Sequence, residues 1–502
     1  MSSKEDVFLE EARLGRRTQV LIDCEEVPNI SRLVRRFREY TLVDLAHAVM
    51  LTETGILTEE RGAKLLEGLL EIYASGEDTF PWLPQSGSFL VQTEHFLGER
   101  LGKEIAGRLQ TGRSRNDQSA ASERLYLRDL LLVVVDDTLR LQDAVLNQAA
   151  HHAETLMPGY THLQHAQPTT FGHHLMRYGA AFERDLTRML ATYGRTNLSS
   201  LGGAAMAGTS WPINRKRTAE LLGHDGIEFN SSDAGGFARD YIEEVVATLC
   251  LLMSNLGRLA NDLYVWHSWE FGYVEVADGL AGTSSIMPQK KNPHSLERIK
   301  SLSGQAAGWL PGVMACQHSV LSTDLDLTFA DDLLTGMGDA TSQALRLAAE
   351  TVATLIVNED RMAVAADAFW STTSHLADEI VRRYDQPFRA AHHIVGRFVR
   401  DSIAAGRTPA EVRSEDLAAA GRDMADMDID IPVAELREIL DARAFLTSRA
   451  TEGSVHPDET RAHNTALTEA LDGHRAEWGA SKDRADDAIA ALIARARALS
   501  SS

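Results

Sequence analysis

The chain has 502 residues, 44% hydrophobic and 24% charged, enough for several domains with a sizeable core and inconsistent with a largely disordered chain. Its 72 acidic against 50 basic residues give a net charge of −22, which argues against a nucleic-acid backbone or an anionic membrane as partner. Cys24, Cys250 and Cys316 are too few and too scattered for a disulfide framework or a cysteine zinc site. The opening residues lack an apolar signal core and no run of about 18 apolar residues occurs, so a soluble, cytoplasmic protein is expected.

Aromatic residues make up only 6%, and Ala and Leu are abundant, which favours helix over sheet. In chain order, Ser31–Leu51 and Thr58–Tyr73 read as short helices, followed by a Pro/Gly/Ser-rich loop over 76–88. No Gly or Pro interrupts the stretch between Gly112 and Pro158, which predicts one long helix. Its run from Leu130 to Val135 is apolar on every side, a pattern that belongs to a helix buried all round in a bundle that oligomerises through its own helices. Similar helical stretches are predicted over 171–193, 237–270 and 339–380. Shorter amphipathic helices separated by Pro387, Pro409, Pro432 and Pro457 follow. The end, Asp458–Ser502, reads as a polar helix pair turning near Gly473 and Gly479.

Three segments break the amphipathic pattern with dense polar residues. The first, from Gln110 to Gln118, reads QTGRSRNDQ at the start of the long helix. A plain helix cap explains one Ser or Asn, but not two arginines beside them, because positive charge at a helix N-terminus suits a bound anion. The second, Pro158 to Thr170, followed by His173 and His174, reads as a loop between two helices. Its histidines suit acid–base work better than metal binding, since no Asp, Glu or Cys accompanies them. The third, Gly282 to Pro293, reads GTSSIMPQKKNP, a small-residue loop of the kind that forms lids; a plain turn with a solvated lysine pair is the alternative. No Gly-rich nucleotide loop and no GxSxG elbow is present.

Together, TGRSRNDQ, GYTHLQHAQP and SSIMPQKKNP resemble the signature regions of the fumarase/aspartase superfamily, and within it argininosuccinate lyase. The resemblance continues through Leu201–Thr209, Asn230–Asp233, Arg239-Asp240 and ILDARAFLTSR at 439–449. It implies an all-α fold of three domains, drawn here at 1–112, 113–365 and 366–502, whose long central helices assemble into a homotetramer around a 20-helix core, with active sites shared between subunits. It also implies reversible anti elimination from a substituted succinate to release fumarate, through a doubly charged aci-carboxylate and without a metal or other cofactor. By the same resemblance Ser284 is the base on the mobile loop. Lys290 and Asn292 grip the carboxylate, His162 acts on the opposite face as acid or relay, and Glu297 supports it. Ser114, Arg115, Asn116, Thr161 and Arg239 match substrate-binding positions, and backbone N–H groups from Ser285 to Met287 add donors.

The amine-binding half departs from the argininosuccinate pattern. Gly87-Ser88-Phe89-Leu90 stands where Glu-Asp-Val-His is usual. Tyr40 to His47 stands in place of Asp-Ile-x-Gly-Ser-x-Ala-His. Leu321, Asp326 and Phe329, the amine-pocket candidates, stand at usual Tyr, Gln and Lys positions. His165 replaces an Arg and His294 an Asp. These changes lead to the expectation of another N-substituted aspartate as substrate, an aminopolycarboxylate such as ethylenediamine-N,N'-disuccinate. Argininosuccinate itself is the alternative, and a non-catalytic, crystallin-like structural role is a further one.

Overall fold

The computed structural model describes residues 17–237, 239–317 and 328–501. The structure is 71% helical, as the composition predicts, and among the described residues the strands are short two-stranded pairs. After α1 (Val27–Arg35), the predicted Ser31–Leu51 helix is broken at Arg36, and α2 (Phe37–Glu53) begins there. Thr58 caps α3 (Glu59–Thr79), whose side-chain oxygen accepts from the N–H of Arg61. The helix runs past the predicted loop start, with Gly76 at φ +69° supplying the kink. These helices and α4 (Phe89–Leu101) enclose a core that includes Leu42, Leu45, Leu65, Leu66 and the packed rings of Phe37, Phe80, Trp82 and Phe89.

The breaker-free stretch forms α5 (Arg115–His151), 37 residues long. A capping box starts it: Ser114 accepts from the N–H of Asn116, and the Asp117 carboxylate accepts from the N–H of Ser114 at 2.8 Å. Two strands, β1 (Leu156–Thr161) and β2 (Gln164–Thr170), lead into α6 (Phe171–Thr196), which returns antiparallel along α5. The direction is set by contacts at both ends, Gly172 N–H to His152 O at 2.9 Å and the Arg124 guanidinium to Thr196 O at 3.3 Å. Helix α7 (Asp240–His267) runs parallel to α5, because Arg239 meets Glu123 at one end and Trp266 meets Phe171 at the other. Next come the small hairpin β3 (Gly282–Thr283) and β4 (Lys291–Asn292), then α8 (His294–Gln305) and α9 (Thr328–Ala353). The predicted 339–380 helix stops at Ala353 without any Gly or Pro. Ile356 and Val357 instead pair antiparallel with Val274 and Glu275, and the Asn358 N–H bonds Tyr273 O at 2.8 Å. A strand partner supplied by tertiary structure outweighs helix propensity at two β-branched residues.

A third core, around Leu376, Ile380, Ile394, Phe398 and Leu417, is formed by helices within 373–425 and their neighbours. The predicted terminal helix pair is instead one helix, α10 (Pro457–Ser500). A Gly inside a helix costs only about 1 kcal/mol. The packing of Leu467, Leu471 and Leu492, and the bond from Trp478 Nε1 to Leu132 O at 2.8 Å, outweigh that cost at Gly473 and Gly479. Helix α10 joins the first two cores and, with α6 and α9, surrounds α5. The apolar run of α5 is therefore buried mostly inside its own chain, with Val133 left 52% exposed. Among the described residues no helix is long and apolar enough to cross a membrane.

Candidate active site

The first polar segment divides into a structural and a presenting half. Arg113 is fully buried in an ion pair with Asp44 at 2.6 Å, and the Gln118 amide donates to the same oxygen at 2.7 Å. Asp117 ties the helix start to the glycine-rich segment after Leu201, accepting from Gly202 N–H at 2.8 Å and Ala204 N–H at 3.0 Å. Burial pushes the Asp117 carboxyl up, and these backbone donors, with Ser114, pull it back. Ser114, Arg115 and Asn116 are left facing outward, half-buried or exposed. Arg115 and Asn116 line a cleft of about 350 Å³ that Arg239 also lines. Arg239 is buried, donating to Gly236 O at 2.9 Å and to the Glu123 carboxylate at 3.3 Å. Sequence reading missed Asp44, Arg113 and Asp117 as positioning groups. The Ser-x-x-Asp capping spacing signals Asp117; nothing in the sequence joins Asp44 to Arg113.

The second segment, expected as a loop, is a β-hairpin with His162 at its tip. Thr161 pairs with Gln164, and the two residues between them, His162 and Leu163, sit in the left-handed region at φ +56° and +57°. Neither is glycine, so the turn carries strain of order 1–3 kcal/mol per residue. It leaves Thr161 and His162 exposed. His165 instead packs edge-on to Tyr160 and Phe369, and burial lowers its basicity. The histidines of the segment do not gather around one point. Among the described residues the single group able to hold a metal ion is His151, His152 and Glu359, none of them in the segment.

The third segment leaves β3 as a projecting loop and returns in β4. Ser284 Oγ accepts the N–H of Met287 at 3.1 Å and of Ile286 at 3.3 Å. Two fixed donors on a serine oxygen stabilise negative charge developing there, which is what a serine needs to act as a base. Ser285, Met287 and Lys290 are exposed, and Asn292 is half-buried. Lys291 points the other way, bonding Glu275 at 2.5 Å and Asp278 at 2.7 Å. Burial lowers the Lys291 ammonium, but the two carboxylates outweigh it and hold the group above its ordinary range. His294 lies directly over Gly282, where a Cβ would come within 2.0 Å of the ring. Glu297 is exposed on α8; among the described residues it takes a bond from Tyr264 Oη at 3.5 Å and none from His162.

These elements place the candidate groups at two ends of the bundle. Ser114, Arg115, Asn116 and Arg239 lie at the N-terminal end of α5. The hairpin with Thr161 and His162, and the loop with Ser284, Lys290 and Asn292, lie at the other, where His267 approaches Lys291 O at 3.5 Å and Tyr160 meets Tyr273 at 2.5 Å. At 1.5 Å per residue α5 separates the two ends by about 55 Å. Leu321 and Asp326 lie outside the described residues; Phe329 is in the first turn of α9, and its side chain is not among those described.

Comparison with known proteins fits this arrangement. A family model for lyases matches residues 31–308, and one for the argininosuccinate lyase C-terminal region matches 370–447. The argininosuccinate lyase of Methanocaldococcus jannaschii is 37% identical over 442 residues, 88% of this chain and 90% of that protein. That of Methanothrix thermoacetophila is 38% identical over 457 residues, 90% of this chain and 91% of that one. The crystal structure of an EDDS lyase in complex with formate superposes with a TM-score of 0.86 at 31% identity, covering 96% of this chain and 94% of that one. By these matches the chain belongs to the argininosuccinate lyase family of the fumarase/aspartase superfamily and is a carbon–nitrogen lyase.

Proposed function

We propose that the chain eliminates an amine from an N-substituted aspartate and releases fumarate, with argininosuccinate as the first substrate to test. The observation that carries this choice is the 37–38% identity to argininosuccinate lyases over about nine-tenths of both chains, against 31% to the EDDS lyase. It reverses the order expected from the sequence departures, which put an aminopolycarboxylate first. In this reading Ser284 Oγ, held by two N–H donors, removes the proton next to a carboxylate. Lys290 and Asn292 hold the charge that develops on that carboxylate, and His162 serves the departing nitrogen from the opposite face, with Glu297 behind it.

The two ends of α5 support a site shared between subunits, in a homotetramer, since one chain cannot bring Arg115 and Ser284 to one small molecule. The second reading, an aminopolycarboxylate, keeps its support from the replaced residues at 321, 326 and 329 and from the EDDS lyase likeness. Steady-state assays of fumarate release decide between the two. A kcat/KM for argininosuccinate above that for ethylenediamine-N,N'-disuccinate supports the first reading, the reverse order supports the second, and no fumarate from either sinks both.

A further inference from the structure

Two histidines at the end of α5 meet a glutamate from a distant part of the chain. Successive residues of an α-helix do not face each other, so His151 and His152 would diverge if the helix continued. It stops instead. His152 caps α5 at φ −102° and ψ 23°, and the two rings come together with centroids 4.6 Å apart and planes at 87°. Glu359 opens a short helix, Glu359–Asp367, that packs on β1. Its carboxylate comes within 3.3 Å of His152 Nδ1. One ligand atom from each of the three residues lies within 4.8 Å of the other two.

The spacing suits ligands better than a simple ion pair. A charge-assisted bond from N–H to carboxylate settles at about 2.7–2.9 Å. Two ligand atoms each about 2.0–2.1 Å from one tetrahedral zinc ion lie about 3.3 Å apart. That is the separation between His152 Nδ1 and Glu359 Oε1. Thr155 Oγ1 also meets this nitrogen, at 2.9 Å, and a hydroxyl can rotate to accept from a metal-bound water once an ion holds the nitrogen.

The three ligands differ in freedom. His152 is buried, its ring edge-on to Phe171 at 5.4 Å, so one ligand is fixed in place. His151 and Glu359 are exposed, so side-chain rotation can draw them in and leave a fourth position to water. Two imidazoles and one carboxylate select a transition-metal ion such as zinc, whereas magnesium and calcium take oxygen ligands.

We propose that His151, His152 and Glu359 bind one divalent transition-metal ion of the zinc type. The site shares no residue with those assigned to fumarate release. It ties the end of α5 to the helix that packs on β1, at the foot of the hairpin that carries His162. Beside it the His152 and Thr155 carbonyls accept the N–H groups of Gly172 and Phe171, each at 2.9 Å, and a bound ion braces that foot.

The test uses the full-length protein without a histidine tag, stripped of metal by a chelator and desalted, with its His151→Ala and Glu359→Gln variants. Both changes fall at exposed side chains, so the fold should be kept, as circular dichroism would check. Calorimetric titration with zinc chloride should show a saturable site of one ion per chain in the wild type. Its affinity should fall about 10-fold or more in each variant, since even the outer partners of metal ligands are worth that much. Magnesium chloride at the same concentration should not compete. No saturable site in the wild type, an affinity unchanged in either variant, or equal competition by magnesium overturns the site. An ion bound only by the folded chain stabilises it, so zinc should raise the Tm of the wild type and raise it less in Glu359→Gln. An equal rise in both counts against the site.

Discussion

Ser284 and Arg113 stand in dense polar motifs of the same kind, yet one lies on a projecting loop and the other is buried. The Ser284 oxygen is held by two backbone N–H groups on a projecting loop, so its removal should act on the chemical step. Ser284→Ala is expected to lower kcat by about 10²–10⁴-fold with KM little changed, and Ser285→Ala to be much milder, in a fumarate-release assay. A turnover near wild type in Ser284→Ala would remove the base assignment. Arg113, expected from its motif to help bind an anion, is instead locked to Asp44 with both side chains fully buried. Asp44→Asn leaves that guanidinium buried beside a neutral amide. It should cost about 3–5 kcal/mol of stability, read by denaturant unfolding. The catalytic candidates were legible because their residue types are needed together in one short run. The role of Arg113 was not, because its partner is 69 positions away, in α2.

At the scale of elements, polarity in the sequence marked where the segments lie but not their shape. The His162 hairpin was legible as a polar connection only, since its turn uses His and Leu at positive φ where Asn-Gly would have announced it. The Ser284 segment was legible as a loop, while its footing was not. Lys291, half of an expected solvated pair, ties β4 to Glu275 and Asp278. Lys291→Ala should leave thermal stability nearly unchanged, as partly exposed ion pairs contribute little. It should raise amide exchange across 283–290 and lower kcat/KM by roughly 3–5-fold, the worth of about 1 kcal/mol of loop ordering. Unaltered exchange in that loop would show that Lys291 does not anchor it. The terminal helix gives the complementary lesson: glycines suggested a turn, and packing against α5 and α6 overrode them.

For the whole molecule, the buried histidines set a pH dependence. His47 Nε2 donates to Thr111 O at 2.9 Å, and His224 Nδ1 donates to Asn197 Oδ1 at 3.1 Å; among the described residues the other ring nitrogen of each is buried without a hydrogen-bond partner. Burial first, and then Arg113 for His47 or Arg128 and Arg124 for His224, hold both well below the ordinary histidine value. The unfolded chain takes up these protons near pH 6.5, and the folded one refuses them until more acid conditions. Stability is therefore fully present above that value and falls on acidification through and below it, by about 1.4 kcal/mol per histidine per pH unit. Melting scans should show a lower Tm at pH 5.5 than at 7.5, and a flattened difference in His47→Gln. The bundle architecture was legible from long breaker-free stretches; the enclosure of α5 by α10 of its own chain was not, because only the fold brings residues 457–500 back to it.

The central claim is that the fumarate-releasing site is assembled from opposite ends of the bundle in different chains, and subunit mixing tests it most directly. Arg115→Gln and Ser284→Ala should each be inactive alone. Unfolded and reassembled together in equal amounts, they should place both intact residues in about a quarter of sites, because each residue then has a one-half chance of being intact. Recovery to roughly a quarter of wild-type fumarate release is the result predicted. A mixture as inactive as its parents, in oligomers shown to have exchanged subunits, would contradict the shared site.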